Sequence, residues 1–395
     1  MKYNFEFKGF ERDNGIPGVR NYVLIVPTVS CSLGLSEVAL KKITEEVEEK
    51  NVKLIKNLHG CGQVGEDLEQ TTRTLINTAL NPNVYAAIVV SLGCESVDAE
   101  KVADNISITK PVELIRIQDL GYSKALDKIK ELARKFSSEA SLVKKSSFDV
   151  TQLVVGLECG GSDFTSGIVS NPLVRRVSDA IVSSGGTTII SEIPEFIGAE
   201  HIYAKRAINN DIRKQVMDSV KSFEEWLKRE ANVDFRGAQP SPGNIAGGLT
   251  TIEEKSLGAI KKSGSIPVSG VLKYAERLGG RKGHYLMITP GYDIESVSGM
   301  VAGGAQLVLF TTGRGTPTGH AIAPVIKITA NGDSYKIMQE FIDYDASSIL
   351  NGTKLFEDAT QELLELIAKT ASGELTKAEI LNQDDFGIFR IGPTF

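Results

Sequence analysis

Cysteine, histidine and tryptophan are scarce in this sequence of 395 residues, which contains four, four and one of them. Four cysteines are too few to indicate a disulfide framework in a chain of this length, and reducing compartments keep such thiols free. No segment approaches the roughly 18 apolar residues of a membrane-spanning helix, and Met1 to Asn14 has no apolar core of the kind that signal peptides carry. We therefore expect a cytoplasmic protein that has no membrane partner.

Basic residues are not in excess either. The formal net charge is −6, and lysines are interleaved with glutamates along segments such as residues 45–56. Such a charge pattern leaves no large basic face, which argues against a nucleic-acid partner. The hydrophobic share of 41% is typical of a globular protein, and 395 residues exceed a single core of about 150 residues. The composition therefore predicts two lobes.

Short apolar runs alternate with amphipathic segments, first within residues 1–136 and again within residues 150–395. This alternation predicts an α/β fold with a largely parallel sheet in each lobe. The polar segment SSEASLVKKSS between Phe136 and Phe148 has no periodicity, so we place the domain boundary there. The predicted strands are residues 22–27, 52–57, 86–91 and 112–115 in the first lobe, and 153–156, 187–190, 285–288, 306–310 and 324–328 in the second. The first-lobe helices are expected at residues 36–49, 67–79, 97–103 and 123–136, and a long amphipathic segment runs through Trp226 in the second.

Each of the four cysteines follows a predicted strand, where ligands gather in open parallel sheets. A free cysteine also packs as a small hydrophobe, so a structural role for each one stays open. Histidine, glutamate and aspartate residues lie near these cysteines, and a mixture of soft sulfur ligands with harder nitrogen and oxygen ligands favours iron. Two C-x-x-C motifs are lacking, which excludes a closed zinc ribbon. Cys31 is the first of the four, and the residues that we expect on the metal side are His59, Cys61, Cys94, Glu95, Cys159 and Asp163.

Two glycine-containing loops have the features of anion sites. The segment CGGSDFTSGIVSNP begins with Gly160, Gly161 and Ser162, whose backbone amides can receive an anion, although a tight turn is the alternative. The segment FTTGRGTP contains Thr311, Thr312, Gly313 and Arg314. Arginine presents a planar fork that matches a carboxylate, so this loop is predicted to bind one, the alternative being an arginine that pairs with a structural aspartate.

Proton transfer requires a base, and the sequence offers several candidates without separating them. Glu253 and Lys255 lie at the helix start in NIAGGLTTIEEKS, next to Asn244, which could contact a substrate. Lys327 is a second candidate lysine. A lysine is more often a solvated surface charge, and only burial beside other cations would adapt it to act near neutral pH. His201, His284 and His320 have no ligand spacing.

The chain resembles the altronate and galactarate dehydratase family, which also contains the large subunit of sulfolactate sulfo-lyase. The resemblance runs from about Arg20 to Ile380. The family's fold implies that the second lobe is an unusual variant of a doubly wound, Rossmann-like sheet. Fused members carry a small β-rich domain ahead of this region, so a separately encoded small subunit could supply it. The motifs that carry the resemblance, in order, are VRNYVLIVPTVSCS, HGCGQVGED, LGCES, LECGGSDFTSGIVSNP, SEIPEFIGAEH, NIAGGLTTIEEKSLGAI and LFTTGRGTPTGH.

The resemblance implies a lyase that removes water from an aldonate or aldarate, such as altronate or galactarate, and yields a 2-keto-3-deoxy acid. The expected cofactor is Fe²⁺, which Mn²⁺ could replace, with an iron–sulfur cluster as an alternative. Arg314 and the glycine loop are expected to hold the substrate, and Lys255, Lys327 or Glu253 to move protons. A homo-oligomer is expected. The alternatives are a carbon–sulfur lyase acting on a sulfonated hydroxy acid, a noncatalytic sugar-acid-binding protein and a redox sensor.

Overall fold

The computed structural model describes residues 5–12, 15–47 and 51–395, which form an α/β structure with three sheets. A four-stranded sheet has the order β3-β2-β4-β5, a seven-stranded sheet has the order β13-β12-β11-β7-β8-β10-β9, and β1 pairs with β6. The strands are β1 Glu6–Phe10, β2 Tyr22–Pro27, β3 Val52–Leu54, β4 Val84–Ser91, β5 Val112–Arg116, β6 Lys145–Asp149, β7 Val154–Gly160, β8 Thr187–Ile190, β9 Val268–Leu272, β10 Gly283–Met287, β11 Leu307–Thr312, β12 Val325–Thr329 and β13 Tyr344–Asp345.

Helices connect most of these strands, and side-chain caps begin several of them. Asp98 accepts a hydrogen bond from the Lys101 amide at the start of α3, and Thr376 forms a capping box with Glu379 in α16. The helices are α1 Leu33–Val47, α2 Gly65–Ala79, α3 Ala99–Ser107, α4 Ile117–Leu120, α5 Tyr122–Ser141, α6 Asn171–Ser183, α7 Glu200–Ala204, α8 Asn210–Ala231, α9 Phe235–Ala238, α10 Pro242–Ala246, α11 Ile252–Ala259, α12 Asp293–Ala302, α13 Gly332–Met338, α14 Ser347–Leu350, α15 Phe356–Ala371 and α16 Lys377–Ile380.

The first domain consists of β2 to β5 with α1 to α5, and its four strands are all parallel, as predicted. The segment between Phe136 and Phe148 differs from the expectation. Its first part continues α5 to Ser141, and its last part forms β6, which pairs antiparallel with β1. A polar segment can form an exposed two-stranded ribbon because only alternate side chains need burial, and that pairing is not visible in local periodicity. The predicted end of the first helix, Glu49, lies outside the described residues.

The second domain begins at β7, and its seven strands are all parallel. All five predicted strands are present, while β9 and β13 at the two edges were not expected. Strand β7 has β11 on one side and β8 on the other, so the chain builds the sheet outward in both directions from β7. In open α/β sheets such a reversal of strand order leaves a crevice at the carboxyl ends, where ligands bind.

Alternating side chains divide the core into layers. On β11, Leu307 and Leu309 belong to an outer core, whereas Val308 and Phe310 belong to a second core that also contains Leu24 of β2. Both faces of the seven-stranded sheet are therefore buried. The second core lies between the two sheets and joins the domains, and the first domain packs its other face on α1 and α5.

Polar contacts join the two domains at several points. Asp67 of α2 forms an ion pair of 2.7 Å with Arg390, and the Phe395 amide donates to the Gly62 carbonyl at 3.1 Å. Arg20 is buried and pairs with Glu379 at 2.7 Å. The last residues of the chain thus pack on the first domain. None of the helices in the described residues combines the length and apolarity needed to cross a membrane.

Candidate active site

Three acidic side chains meet at the carboxyl end of the seven-stranded sheet. Glu158 lies near the end of β7, Glu192 follows β8, and Asp293 opens α12 after β10. One oxygen of each lies within 4.8 Å of the others, and the described ranges hold no second group of three His, Cys, Asp or Glu side chains that meets this distance. Parallel strands end at the same edge, so residues from three separate segments converge there. We call Glu158, Glu192 and Asp293 the acidic cluster.

The acidic cluster has unusual proton affinities. Burial, followed by the charge of Glu192, raises the pKa of Glu158 well above its ordinary value. The same causes raise the pKa of Asp293 to about 7. Asp293 is also the least buried of the three side chains. Asp293 can therefore exchange a proton near neutral pH, as a general acid or base must.

The two oxygens of Glu158 have different surroundings. Oε2 accepts hydrogen bonds from the hydroxyls of Ser191 at 3.0 Å and Ser296 at 2.8 Å. Oε1 is buried and has no hydrogen-bond partner. A buried oxygen without a partner costs about 1–3 kcal/mol, so it is an oxygen to which a ligand would add a missing contact.

Glu192 adopts a backbone conformation that a residue with a side chain rarely adopts. Its φ angle is 69°, in the left-handed region. Its amide donates to Thr289 Oγ1 at 2.7 Å, and its Oε2 accepts from the Cys159 amide at 3.1 Å. Such a conformation costs on the order of 1–3 kcal/mol and persists where the surroundings enforce it, often at functional sites. Here it turns the carboxylate toward β7.

Lys262 adds a cation to the acidic cluster from the helical turn that follows α11. Its Nζ lies 2.8 Å from Glu192 Oε2 and 2.7 Å from Cys159 Sγ, and the side chain is fully buried. Burial alone would lower the pKa of this amine, but the surrounding carboxylates, Glu192 first among them, outweigh burial and raise it. Burial and Glu192 raise the pKa of the Cys159 thiol well above its ordinary value. We therefore describe the pair as a Lys262 ammonium held by Glu192, with a neutral thiol beside it.

A second ion pair lies beside the acidic cluster, between Lys255 of α11 and Glu195 of the helical turn that follows β8. Lys255 Nζ lies 2.8 Å from Glu195 Oε1, and both side chains are largely buried. Burial would lower the pKa of Lys255, but Glu195 outweighs burial and raises it. The Glu195 amide donates to the Glu192 carbonyl, so this pair is tied to the acidic cluster. Glu253, two residues before Lys255, is exposed.

The two predicted anion loops lie against each other. The amides of Gly313 and Arg314 donate to the Gly161 carbonyl at 3.2 and 3.1 Å, and Asn244 Nδ2 donates to the Ser162 carbonyl at 2.9 Å. Arg314 is exposed, with one hydrogen bond of 3.3 Å to the Gly243 carbonyl. The structure thus brings the predicted substrate residues of these loops to one region.

The strand end beneath these loops is tightly packed. A β-carbon on Gly160 would overlap the Asp293 carboxylate, which shows how closely Asp293 approaches β7. The Thr311 hydroxyl donates to Asn171 Oδ1 at 2.6 Å, and Thr312 Oγ1 accepts from the Gly315 amide at 2.9 Å. These two threonines therefore hold the strand end and its loop in place.

Two further predicted residues have structural contacts. Asp163 is buried and accepts hydrogen bonds from Thr165, Ser166 and Asn331, which occupy both of its oxygens. Lys327 is buried, and its Nζ donates to the carbonyls of residues 317 and 318. Burial lowers the pKa of Lys327 to about 8, against the opposing effect of Asp343.

The other predicted metal residues lie in the first domain. Cys31, Cys61 and Cys94 are exposed, in the loops that follow β2, β3 and β4. Hydrogen bonds join these loops, from the Ser30 amide to the residue 59 carbonyl and from the Ser96 amide to the Gly60 carbonyl.

Glu95 and His59, the predicted ligands beside these thiols, already have other hydrogen-bond partners. Glu95 accepts from Thr28 at 2.6 Å and from the Gly93 amide at 2.7 Å, and His59 lies 3.4 Å from Arg390. Burial and Arg390 lower the pKa of His59. Cys159, in the second domain, lies against Lys262.

Comparison with known proteins identifies both halves of the chain. A family model described as the C-terminal domain of D-galactarate/altronate dehydratase matches residues 150–394, and one described as the second domain of D-galactarate dehydratase/altronate hydrolase matches residues 9–141. The chain belongs to the galactarate and altronate dehydratase family. The family's dehydratases are hydro-lyases, so the chain is a lyase.

Individual relatives within this family match nearly the whole chain. Altronate dehydratase of Bacillus subtilis is 36% identical over 99% of this chain and 79% of its own length. The galactarate dehydratase (L-threo-forming) of Escherichia coli is 31% identical over 94% and 73%. The (2R)-sulfolactate sulfo-lyase subunit beta of Chromohalobacter salexigens is 37% identical over 98% and 97%. The resemblance drawn from the sequence motifs is confirmed.

Five residues of this candidate site were not predicted: Glu158, Glu192, Glu195, Asp293 and Lys262. The first two directly accompany a strand end, so their position was a usable signal, and Asp293 follows the loop after β10. Lys262 gives no such signal, because in the sequence it is one of two adjacent lysines after a helix. Only the tertiary structure shows which of them is buried.

The acidic cluster fits a divalent cation. Three carboxylates and one ammonium leave two negative charges when all are ionised, and Glu158 Oε1 has no partner. Oxygen ligands suit hard cations such as Mg²⁺ and Mn²⁺, and carboxylates also take part in ferrous sites. These three carboxylates therefore suit a divalent metal that is bound through oxygen. Protons on Glu158 and Asp293 would compete with the metal for the same carboxylate oxygens.

Proposed function

We propose that this chain is a dehydratase of a sugar acid, an aldonate or aldarate such as altronate or galactarate, and that it acts at the acidic cluster. The product would be a 2-keto-3-deoxy acid. The observation that carries the proposal is the convergence of Glu158, Glu192, Asp293 and Lys262 at the carboxyl end of the sheet. The dehydratase relatives, which share 31–36% identity, support the reaction class.

The reaction removes a proton next to a carboxylate and expels a hydroxyl from the neighbouring carbon. The first step is difficult because an α-proton beside a carboxylate is weakly acidic, and the resulting enediolate needs stabilising positive charge. We assign proton abstraction to Asp293, whose pKa of about 7 suits this role, and proton donation to the Lys255 ammonium beside Glu195. Lys262 keeps positive charge beside the substrate. Glu253 is an alternative proton carrier, and Lys327 is assigned to holding the loop at residues 317 and 318.

The substrate carboxylate is assigned to the paired loops. Arg314 is exposed and makes one weak contact, so its guanidinium is available for a bidentate interaction. The first loop contains Gly160, Gly161 and Ser162. The second contains Thr311, Thr312 and Gly313. Asn244 fixes their relative position through Ser162. The sugar chain would then extend from Arg314 toward Asp293.

We assign a divalent metal, Fe²⁺ with Mn²⁺ as a substitute, to the acidic cluster. When bound, such an ion supplies Lewis-acid stabilisation of the substrate oxygens. Glu158 and Glu192 would hold it, and Asp293 would face the substrate. The set predicted from sequence, His59, Cys61, Cys94, Glu95, Cys159 and Asp163, remains the competing proposal. In it the first-domain thiols would hold iron or an iron–sulfur cluster.

Metal content and turnover test these assignments together. The anaerobically purified protein is incubated with Fe²⁺ or Mn²⁺ and assayed with a panel of aldonates and aldarates, with detection of the 2-keto product. Glu158→Gln should lose most of the bound metal, whereas Cys61→Ser should retain it. The reverse result would transfer the metal to the first domain, and binding of sugar acids without turnover would indicate a noncatalytic protein.

A carbon–sulfur lyase is the second candidate function. The relative named sulfolactate sulfo-lyase subunit beta matches this chain over 97% of its own length, whereas the dehydratases match over 73–79% of theirs. The same proton abstraction would precede loss of sulfite instead of water. Release of sulfite from (2R)-sulfolactate, with no reaction on sugar acids, would establish this activity.

The name of that relative also supports a proposal about assembly. It is a subunit beta, so we propose that a small, separately encoded β-rich subunit joins this chain, in a homo-oligomeric assembly located in the cytoplasm. Copurification with the product of a neighbouring gene and the mass of the native complex would test this. A chain that is fully active and monomeric alone would contradict it.

A further inference from the structure

Cys159 and Lys262 form an unusual contact. Their Sγ and Nζ atoms lie 2.7 Å apart, as close as a strong N–H···O hydrogen bond although sulfur is the larger atom. Both side chains are buried, at 3% and 1% exposure. The other three cysteines are exposed and have no lysine amine at such a distance among the contacts of the described residues. A thiol and a primary amine are therefore held together in a closed space.

We propose that Cys159 and Lys262 are a covalent modification site, at which one oxygen atom bridges the sulfur and the nitrogen. A single oxygen bonded to both atoms spans about their present separation, so the bridge would form without rearrangement of the backbone. Glu192 Oε2, which is 2.8 Å from Nζ, holds the amine in place beside the sulfur. The thiol, the ammonium and one molecule of O₂ give the S–O–N bridge, one water and one proton. Sulfur and nitrogen are oxidised, and O₂ is reduced.

The surroundings favour this product over the usual ones. Disulfide exchange needs an exposed thiolate, and Cys159 is buried. A protein thiol or glutathione therefore has no access to the buried sulfur. The amine is the nearest group to trap an oxidised sulfur.

The bridge would switch off the site reversibly. It removes the positive charge of Lys262 from the acidic cluster and fixes its side chain to β7. A dithiol reductant would reverse it, because two dithiol molecules supply the four hydrogen atoms that regenerate the thiol, the amine and one water.

Peptide mass analysis of the intact chain tests the proposal without an activity assay. Air-exposed protein is treated with an alkylating agent while folded, to block the exposed thiols, and is then denatured and digested with trypsin. Trypsin cannot cut after a bridged Lys262, so peptide 262–273 should be found joined to peptide 146–175. The joined mass should equal the two peptides plus one oxygen less two hydrogens. Dithiothreitol should separate them.

Matched variants give the control. Lys262→Arg keeps a cation but no primary amine, and Cys159→Ser keeps a polar side chain without sulfur, so neither should give the joined peptides. Anaerobic protein should also give none. The proposal is overturned if air-exposed wild-type protein shows normal cleavage after Lys262 with Cys159 free or present as sulfinic acid. That outcome would leave the dehydratase assignment unaffected, and if a variant fails to fold, the wild-type masses decide alone.

Discussion

Gly160 lies directly against Asp293, and the backbone of β7 has no room for a side chain at that position. Gly160→Ala should therefore displace the Asp293 carboxylate. A displacement of about 1 Å at a catalytic group can cost on the order of 100-fold in rate, and we expect a fall in kcat of that order. The chain should still fold, with a loss of about 1–3 kcal/mol from overpacking.

Gly167→Ala is the control for this substitution, because its β-carbon would meet its nearest neighbour at an ordinary distance of 3.7 Å. It should leave kcat unchanged. Steady-state kinetics and thermal melts of both variants provide the measurement. Full activity of the Gly160→Ala protein would show that Asp293 does not need its present position.

Arg314→Lys should weaken catalysis with little effect on folding. The arginine is exposed and makes one hydrogen bond of 3.3 Å, so its contribution to stability is small. Lysine cannot reproduce a bidentate fork to a carboxylate, so kcat/KM should fall by the equivalent of about 2–4 kcal/mol. Arg213→Lys, on the exposed face of α8, is the control. Wild-type turnover, or a much lower melting temperature, would make Arg314 a structural residue.

Lys327 gives a pH dependence of stability with a definite sign. Its folded pKa is lowered from 10.5 to about 8, so the unfolded chain binds more protons between these values. The free energy of unfolding should therefore rise as the pH increases from about 8 to 10, by at most about 3 kcal/mol at roughly 1.4 kcal/mol per pH unit. Lys327→Met should flatten this rise. Denaturant melts at several pH values would show it, with exposed Lys336→Met as the control.

Removal of the metal should abolish turnover and leave most of the fold intact. The hydrophobic cores do not depend on the acidic cluster, whereas enediolate stabilisation does under our assignment. Exhaustive chelation followed by Fe²⁺ with a reductant should restore activity, and circular dichroism should change little. Full activity in the chelated protein would refute metal-assisted catalysis.

Much of the fold could be predicted from the sequence because buried parallel strands produce uninterrupted apolar runs. β2 and β8 have the predicted bounds, and the loops that contain Cys31, Cys61 and Cys94 do follow strands. Cys159, which was also expected after a strand, lies within β7. Strands β1 and β6 were missed, since their pairing connects residues about 140 positions apart and their composition is mainly polar. A local pattern cannot indicate a partner at that distance.

The same limit applies to the site. As candidate metal ligands, the carboxylates beside strand ends could have been placed above the cysteines. A position at the end of a strand indicates a ligand whatever its residue type. The burial of Lys262 next to Glu192 depends on how α11 packs on the helical turn after β8, and on how the turn after α11 packs on α6. Adjacent lysines 261 and 262 look equivalent in the sequence, and only packing makes one exposed and the other buried.

The return of the chain's last segment to the first domain has a consequence for synthesis on the ribosome. Arg390 pairs with Asp67, and the Gly62 carbonyl accepts from residue 395. The first domain emerges early, yet part of its surface stays uncovered until the segment around Arg390 has been translated. We therefore expect the nascent chain to leave this surface open to chaperones until that segment has emerged.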